Sequence, residues 1–235
     1  MREEIPSRTV IVIPAYNEAQ TLVDKVLQLE EFTKNMSVDI IIANNASTDE
    51  TGTLAARLAD EYSRILYNPI SEKGKGLAIK KTWLAHDYDI YAFMDADLST
   101  DLEALPQLIE AAKQGVAIGS RYLPGSRTKR TLKRKIISKG YIALFKTLYG
   151  LGIGDSQCGF KAINRQIRDN VLPYVKDNGF FFDTELLVRA SKEYKIIEVP
   201  VHWQEQPGTS LNMKRDIPYF LYNLMKLKYE LMKDK

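Results

Sequence analysis

Ile90-Tyr91-Ala92-Phe93-Met94-Asp95-Ala96-Asp97-Leu98-Ser99-Thr100 is the stretch that decides how this chain folds. An unbroken apolar run, Ile90 to Met94, predicts a strand covered on both faces, which is the habit of a parallel sheet under helices. It runs straight into Asp95-Ala96-Asp97. Residues two apart in extended chain project to the same side, so two carboxylates are aimed at one point beyond the strand. That pair suits a hard divalent cation, Mg²⁺ or Mn²⁺, whose shell is completed by water and phosphate oxygens. Taken alone, Asp-Ala-Asp reads more readily as a solvated acidic turn; its surroundings reverse that preference.

Outward from this strand, apolar runs and helical periods alternate. Arg8 to Ile13 is a β-branched run stopped by Pro14, and Glu18 to Lys34 has helical spacing with Leu22, Val26, Leu29 and Phe32 on one side. Strands are expected at Ile40 to Ala43, Ile65 to Tyr67 and Val116 to Ile118. Helices are expected at Glu50 to Tyr62, capped by Ser47 or Thr48, and at Gly76 to Ala85 and Leu102 to Lys113. This rhythm predicts an α/β, Rossmann-like, mostly parallel sheet with helices on both faces. After Arg121 it changes: a basic loop from Leu123 to Lys133, an amphipathic helix Ile136 to Tyr149, a strand Lys195 to Trp203, a mobile polar loop Gln204 to Met213, and a final helix Ile217 to Met232. We read 1–235 as a single domain, in which 1–121 binds the donor and 122–235 supplies the acceptor side and faces the membrane.

Composition narrows the function classes. A net charge of +3 does not describe a general nucleic-acid binder. The basic loop also lacks aromatic interleaving and a recognition-helix pattern, so no nucleic-acid partner is expected. Yet no Asp or Glu occurs from Ala111 to Gly154, where Arg121, Arg127, Lys129, Arg130, Lys133, Arg134, Lys135 and Lys139 fall. A single cysteine, Cys158, excludes an internal disulfide and fits a reducing compartment. The first residues have no signal-peptide pattern, and no run approaches the roughly 18 apolar residues of a membrane span. The expected location is cytoplasmic, on a membrane surface.

Ligands of open α/β sheets bind beyond the carboxyl ends of the strands. Those ends are Pro14 to Glu18, Ala43 to Ser47, Asp95 to Asp97 and Gly119 to Arg121, all polar. Together they favour a nucleotide site over ordinary loop polarity. Tyr16 suits a base to stack on, and Glu18 suits ribose hydroxyls.

VIPAYNE (Val12 to Glu18), NNASTDET (Asn44 to Thr51), KGKG (Lys73 to Gly76) and DAD resemble the inverting glycosyltransferases of family 2, which have the GT-A fold. Within that family the chain looks like the dolichyl-phosphate hexose synthases. LKRKIISKG (Leu132 to Gly140) is similar to the mannose branch; DSQCGFK (Asp155 to Lys161), FFFDTELL (Phe180 to Leu187) and EVPVHW (Glu198 to Trp203) are similar to the glucose branch. The resemblance, from about Thr9 to about Tyr229, implies a hexose passed from a nucleotide sugar, UDP- or GDP-linked, to a polyprenyl phosphate for protein glycosylation. It implies donor contacts at Pro14, Tyr16, Glu18, Ala43, Asn45, Asp95, Ala96, Asp97 and Arg121, metal at Asp95 and Asp97, and an acceptor phosphate met by Arg121, Arg134 and Ser138. Asp97, Asp95 and Arg121 would be the catalytic set. In two places the chain departs from the family. Asn45 stands where an aspartate usually reads the base. Glu205 and Gln206 stand where the mannose branch has an arginine and a lysine, and the next lysine is Lys214.

The chemistry fits these residue types. A phosphate monoester, with a second pKa of about 6, is already a nucleophile at neutral pH. No general base is needed, and neither His86 nor His202 is paired for one. Asn45 offers one acceptor and one donor group, which matches uracil better than guanine and favours UDP-glucose. Glu185 reads as a structural or sugar-positioning carboxylate, and Cys158 as a small buried residue. The helix Leu132 to Tyr149, with Ile136, Ile137, Tyr141, Leu144, Phe145 and Leu148, leans towards a membrane surface; the last helix reads equally as membrane-facing or core-packed, with a membrane-anchored partner subunit as the other means of attachment. Two other readings stay open: a family 2 transferase with a hydroxyl acceptor such as a polysaccharide, and a non-catalytic nucleotide-sugar-binding subunit.

Overall fold

The computed structural model describes residues 7–129, 132–204 and 213–233, without the side chains of 129, 132–135 and 213–215. β1 (Thr9–Ala15), β2 (Val38–Asn45), β3 (Ile65–Ile70) and β4 (Ile90–Met94) alternate with α1 (Leu22–Thr33), α2 (Thr51–Glu61) and α3 (Lys75–Ala85). β4 leads through a 3-10 turn into α4 (Leu105–Ala112) and β5 (Val116–Ser120). The apolar runs become strands because both faces of the sheet are covered. Val10 and Val12 of β1 enter one core cluster with α3, while Ile11 and Ile13 enter the opposite cluster with α1, α2 and α4.

The remaining elements are β6 (Arg127–Lys129), α5 (Leu132–Tyr149), β7 (Phe160–Asn164), α6 (Arg165–Asn170), α7 (Phe182–Ala190), β8 (Ile196–Pro200), β9 (His202–Gln204) and α8 (Met213–Lys233). The main sheet has the order β3-β2-β1-β4-β7-β5-β8, parallel except for β7, which runs antiparallel between β4 and β5. β7 and β8 thus bring the second half of the chain into the sheet of the first. β6 and β9 form a short parallel pair of their own.

The strand order reverses between β1 and β4. Their pairing ends at Val12 and Phe93, whereas β1 stays paired with β2 as far as Ala15. The two strands therefore part at their carboxyl ends, which is where an open α/β sheet forms its ligand crevice. Tyr16 to Glu18 leave one lip and Asp95 to Asp97 the other.

Several expectations need correction. Ser47 and Thr48 do not cap α2; its first-turn amide, Thr51 N–H, donates to Asp49 Oδ1 at 3.0 Å. Phe32 is exposed, and Thr33 takes its place on the buried side of α1. The expected strand Lys195 to Trp203 is interrupted at Val201, which separates β8 from β9. The face of α5 assigned to the membrane packs on the protein instead: Phe145 is fully buried, Tyr141, Leu144 and Leu148 lie against the same core, and Tyr141 shares a 2.8 Å hydrogen bond with Thr184. Ile136 alone of that named set is exposed. Most of the polar loop expected from Gln204 to Met213 lies outside the described residues, as do Glu205, Gln206 and the Lys214 side chain.

Candidate active site

The lips of the crevice are held in unusual backbone conformations. Asn17, Ala46 and Leu98 have φ of 54°, 55° and 46°, one just beyond each of β1, β2 and β4. A left-handed residue other than glycine costs about 1–2 kcal/mol, so neighbouring bonds must hold these turns. At β1 they do. Asn17 N–H donates to Ser47 Oγ, Asn17 Oδ1 accepts from Thr48 N–H at 2.8 Å, and Glu18 N–H donates to Thr51 Oγ1 at 2.8 Å. The NNASTDET segment thus braces the Tyr16–Glu18 turn.

At β4, the Leu98 turn sets Asp97 for its neighbours. Asp97 Oδ1 accepts from Ser99 N–H at 2.9 Å and Oδ2 from Ser99 Oγ at 2.6 Å. Asp95 N–H donates to Gly159 O, which ties the acidic turn to β7. Glu18 faces the pair from the other lip. Its carboxyl is pushed above the usual range, first by burial and then by the charge of Asp97, with Asp49 and Asp95 adding to it; a bond from Thr21 opposes the shift. The neighbouring charges that raise Glu18 are those of Asp97, Asp49 and Asp95. A carboxylate has about four lone-pair sites, so Asp97 keeps acceptor capacity after its bonds to Ser99. The residues therefore fit a divalent cation held by Asp95 and Asp97. Among the described residues no group of three or more His, Cys, Asp or Glu could hold one, so two carboxylates are the whole of the protein's offer there.

A chain of buried charge lies behind Asp95. Lys75, first residue of α3, places Nζ 2.7 Å from Asp95 Oδ1 and 3.5 Å from Asp183 Oδ2. Asp183 Oδ1 is 3.0 Å from Nζ of Lys161, which also donates to Cys158 O. Burial alone would lower the Lys75 pKa; Asp183 and then Asp95 outweigh it and raise it. Lys75 is delivered by the KGKG loop. Gly74 is needed there: its φ is +156°, and a Cβ would lie 2.4 Å from Asn178 O. Sequence reasoning missed Lys75, Lys161 and Asp183 as site residues. The available signal was Lys161, a lone charge inside the apolar strand Phe160 to Ile163.

Asn45 is where the second strand end brings it, but its acceptor is engaged. Oδ1 accepts from Gly74 N–H at 2.7 Å, and the side chain is buried. Tyr16 lies on the crevice lip with Lys73 Nζ over its ring, 3.7 Å from the ring centre. Pro14 is part-buried, and Ala43 and Ala96 are buried, so Ala43 has only backbone to offer, within the β1 and β3 ladders. Arg121 reaches the same sheet edge, and a fork of 2.6 and 2.7 Å commits Nε and Nη2 to Asp155. Ser138 is on α5; the Arg134 side chain lies outside the described residues. Glu185 is structural: it accepts from Lys176 and Asp177 N–H and from Arg189 Nε at 2.7 Å.

Residues 10–172 match glycosyl transferase family 2. The chain belongs to that family. This family 2 chain is 36% identical over 216 residues to glycosyltransferase AglD of Haloferax volcanii, covering 88% of this chain and 35% of that protein. It is 30% identical over 230 residues to the dolichol-phosphate mannosyltransferase of Pyrococcus furiosus, with coverage of 94% and 64%. To the dolichyl-phosphate beta-glucosyltransferase ALG5A of Trichomonas vaginalis it is 33% identical over 219 residues, with coverage of 86% and 68%. The chain thus spans about a third of the first relative's length and just under two thirds of the second's. Its GT-A fold matches glucosyl-3-phosphoglycerate synthase from Mycobacterium tuberculosis, solved with Mn²⁺, UDP-glucose and phosphoglyceric acid. The TM-score is 0.69 at 15% identity, over 94% of this chain and 80% of that one.

Proposed function

We propose that this chain transfers a hexose, with inversion, from a nucleotide sugar to a polyprenyl phosphate, and that transfer depends on a divalent cation held by Asp95 and Asp97. The carrying observation is the paired carboxylates at the β1/β4 crevice of a family 2 fold. When bound, the cation offsets negative charge developing on the leaving diphosphate. Tyr16 takes the base once Lys73 moves off its ring, and Glu18 accepts from the ribose. Ser99 holds Asp97 in place. Arg134 and Ser138 meet the acceptor phosphate; Arg121, already paired with Asp155, adds geometry rather than net charge.

An anionic acceptor is favoured over a hydroxyl, which would need a base: on this reading Glu18 serves the ribose, and Asp95 and Asp97 serve the cation. Asp183 is the acidic residue nearest that role, and both its oxygens are taken by lysine ammonium groups. The intact Asp95 and Asp97 pair speaks against a merely binding subunit. The donor is UDP-glucose on the glucose-branch stretches DSQCGFK, FFFDTELL and EVPVHW. Asn45 no longer adds to that choice. With Oδ1 on Gly74 it has only Nδ2 to donate, and uracil and guanine both offer a carbonyl. The lipid acceptor places the chain at a membrane surface.

The test is to incubate the protein with Mn²⁺, a polyprenyl phosphate and a panel of labelled nucleotide sugars, with Asp97→Ala beside the wild type. Lipid-linked glucose from UDP-glucose, lost in Asp97→Ala, is the expected result. Transfer unchanged by that substitution would remove the metal assignment; transfer only from GDP-mannose would reverse the donor.

A further inference from the structure

Asp95, Lys75, Asp183 and Lys161 form an alternating array of negative and positive charge, with spacings of 2.7, 3.5 and 3.0 Å. Its formal charges cancel, yet its two ends differ. Asp95 is 45% exposed, whereas Lys75, Asp183 and Lys161 are 13%, 7% and 0% exposed. The wet end is the carboxylate aimed into the crevice; the dry end is a lysine–aspartate pair that stays satisfied whatever happens at Asp95. The Lys75 ammonium therefore sits between two carboxylates and is closer to the one a divalent cation would need. A short displacement towards Asp183 frees Asp95 without leaving any buried charge unpaired, which avoids the large cost of an isolated buried ion.

We propose that Lys75 is a resident counter-ion of the cation site: it holds Asp95 when no divalent cation is present and passes to Asp183 when one binds, so that Lys75 and Asp183 together set the cation affinity. This rests on the assignment of Asp95 and Asp97 as cation ligands. Lys161 matters because it engages the second oxygen of Asp183 and keeps that carboxylate in place to receive Lys75. Lys75 and Asp183 act through Asp95 and are positioning residues.

The two substitutions pull in opposite directions. In Lys75→Met the competing ammonium is gone while Asp183 keeps Lys161. In Asp183→Asn the amide oxygen still accepts from Lys161, but Lys75 loses its charged alternative and stays on Asp95. Mn²⁺ is titrated calorimetrically into the metal-free wild type, both variants and Asp97→Asn, with circular dichroism confirming the fold. Lys75→Met is expected to bind Mn²⁺ about tenfold more tightly, the effect of one charged hydrogen bond no longer competing; Asp183→Asn is expected to bind several-fold more weakly, on the same basis. A general loosening of the site would weaken both. Lys75→Met binding Mn²⁺ as the wild type does, or more weakly, overturns the counter-ion role. With Asp97→Asn losing Mn²⁺ in the same series, that result leaves the cation site standing; Asp97→Asn binding like the wild type removes both.

Discussion

A side chain at position 159 would collide with the acidic turn, since its Cβ would lie 1.8 Å from Asp95 Oδ2. The carboxylate must shift to make room, and that disturbs its other oxygen, Oδ1, which lies 2.7 Å from Lys75 Nζ. Gly159→Ala is therefore expected to lower Mn²⁺ affinity about tenfold or more, the loss of one charged contact, with an unchanged far-UV spectrum; calorimetry on the folded variant checks it. The neighbouring Cys158 shows the opposite kind of residue, buried and unused. Burial, with Asp155 adding to it against Arg121 and Lys161, pushes its thiol up to about 11. The unfolded thiol titrates near 8.5, so above that pH the unfolded chain has released a proton that the native one keeps, and stability falls as pH approaches 11. Cys158 is expected to resist Ellman's reagent at pH 8 until the protein is denatured; rapid native labelling would contradict its burial. The position of Asp95 and Asp97 just beyond β4 was legible because its signal is local: a buried run ending in carboxylates two apart. Lys75 and Asp183 meet across 108 positions, and no spacing rule reaches that far.

Among the elements, the parallel strands and their helices were readable because each apolar run is long enough to set its own period. β7 was not. Phe160 to Asn164 is short, contains Lys161, and is stabilised by antiparallel partners on either side. α5 misled for a related reason: a basic amphipathic stripe looks the same whether its apolar side meets lipid or Phe220, whose ring lies 5.7 Å from that of Tyr141. The KGKG loop was recognised as a motif without its mechanism, which is a double latch. Gly74 N–H donates to Asn45, while Gly76 and Leu77 N–H donate to Gly179 and Asn178 carbonyls. Asn45→Ala leaves a part-buried amide without its acceptor and is expected to cost about 1–3 kcal/mol in urea unfolding. Asn45→Asp keeps an acceptor for Gly74 and is expected to retain most of that stability. Equal losses in both variants would show that Asn45 does not hold the loop.

At the scale of the molecule, the proposed lipid acceptor calls for a surface that can meet a membrane. Among the described residues no helix is long and apolar enough to cross a membrane. α8 has two unlike faces. Leu224 and Leu227 are buried in the core, and Phe220 and Leu231 pack against it, while Ile217, Leu221, Met225, Tyr229 and Met232 form an exposed apolar stripe at helical spacing. Lys226 is exposed beside that stripe, and Lys233 lies over the Tyr229 ring at 4.5 Å. Apolar side chains flanked by lysines suit the headgroup boundary, and each nearby Lys or Arg adds about 1 kcal/mol of attraction to anionic lipid. The acid-free stretch from Ala111 to Gly154 contributes charge of the same sign. On the proposed function, the protein is expected to sediment with vesicles containing phosphatidylserine at low salt and to be released as the Debye length falls from about 10 Å at 0.1 M to about 3 Å at 1 M. Met225→Glu, on the outer face and away from the core contacts of α8, is expected to weaken sedimentation without lowering the melting temperature. Binding that ignores both salt and Met225→Glu would place the lipid contact elsewhere on the molecule, and no binding at low salt would leave attachment to a membrane-anchored partner.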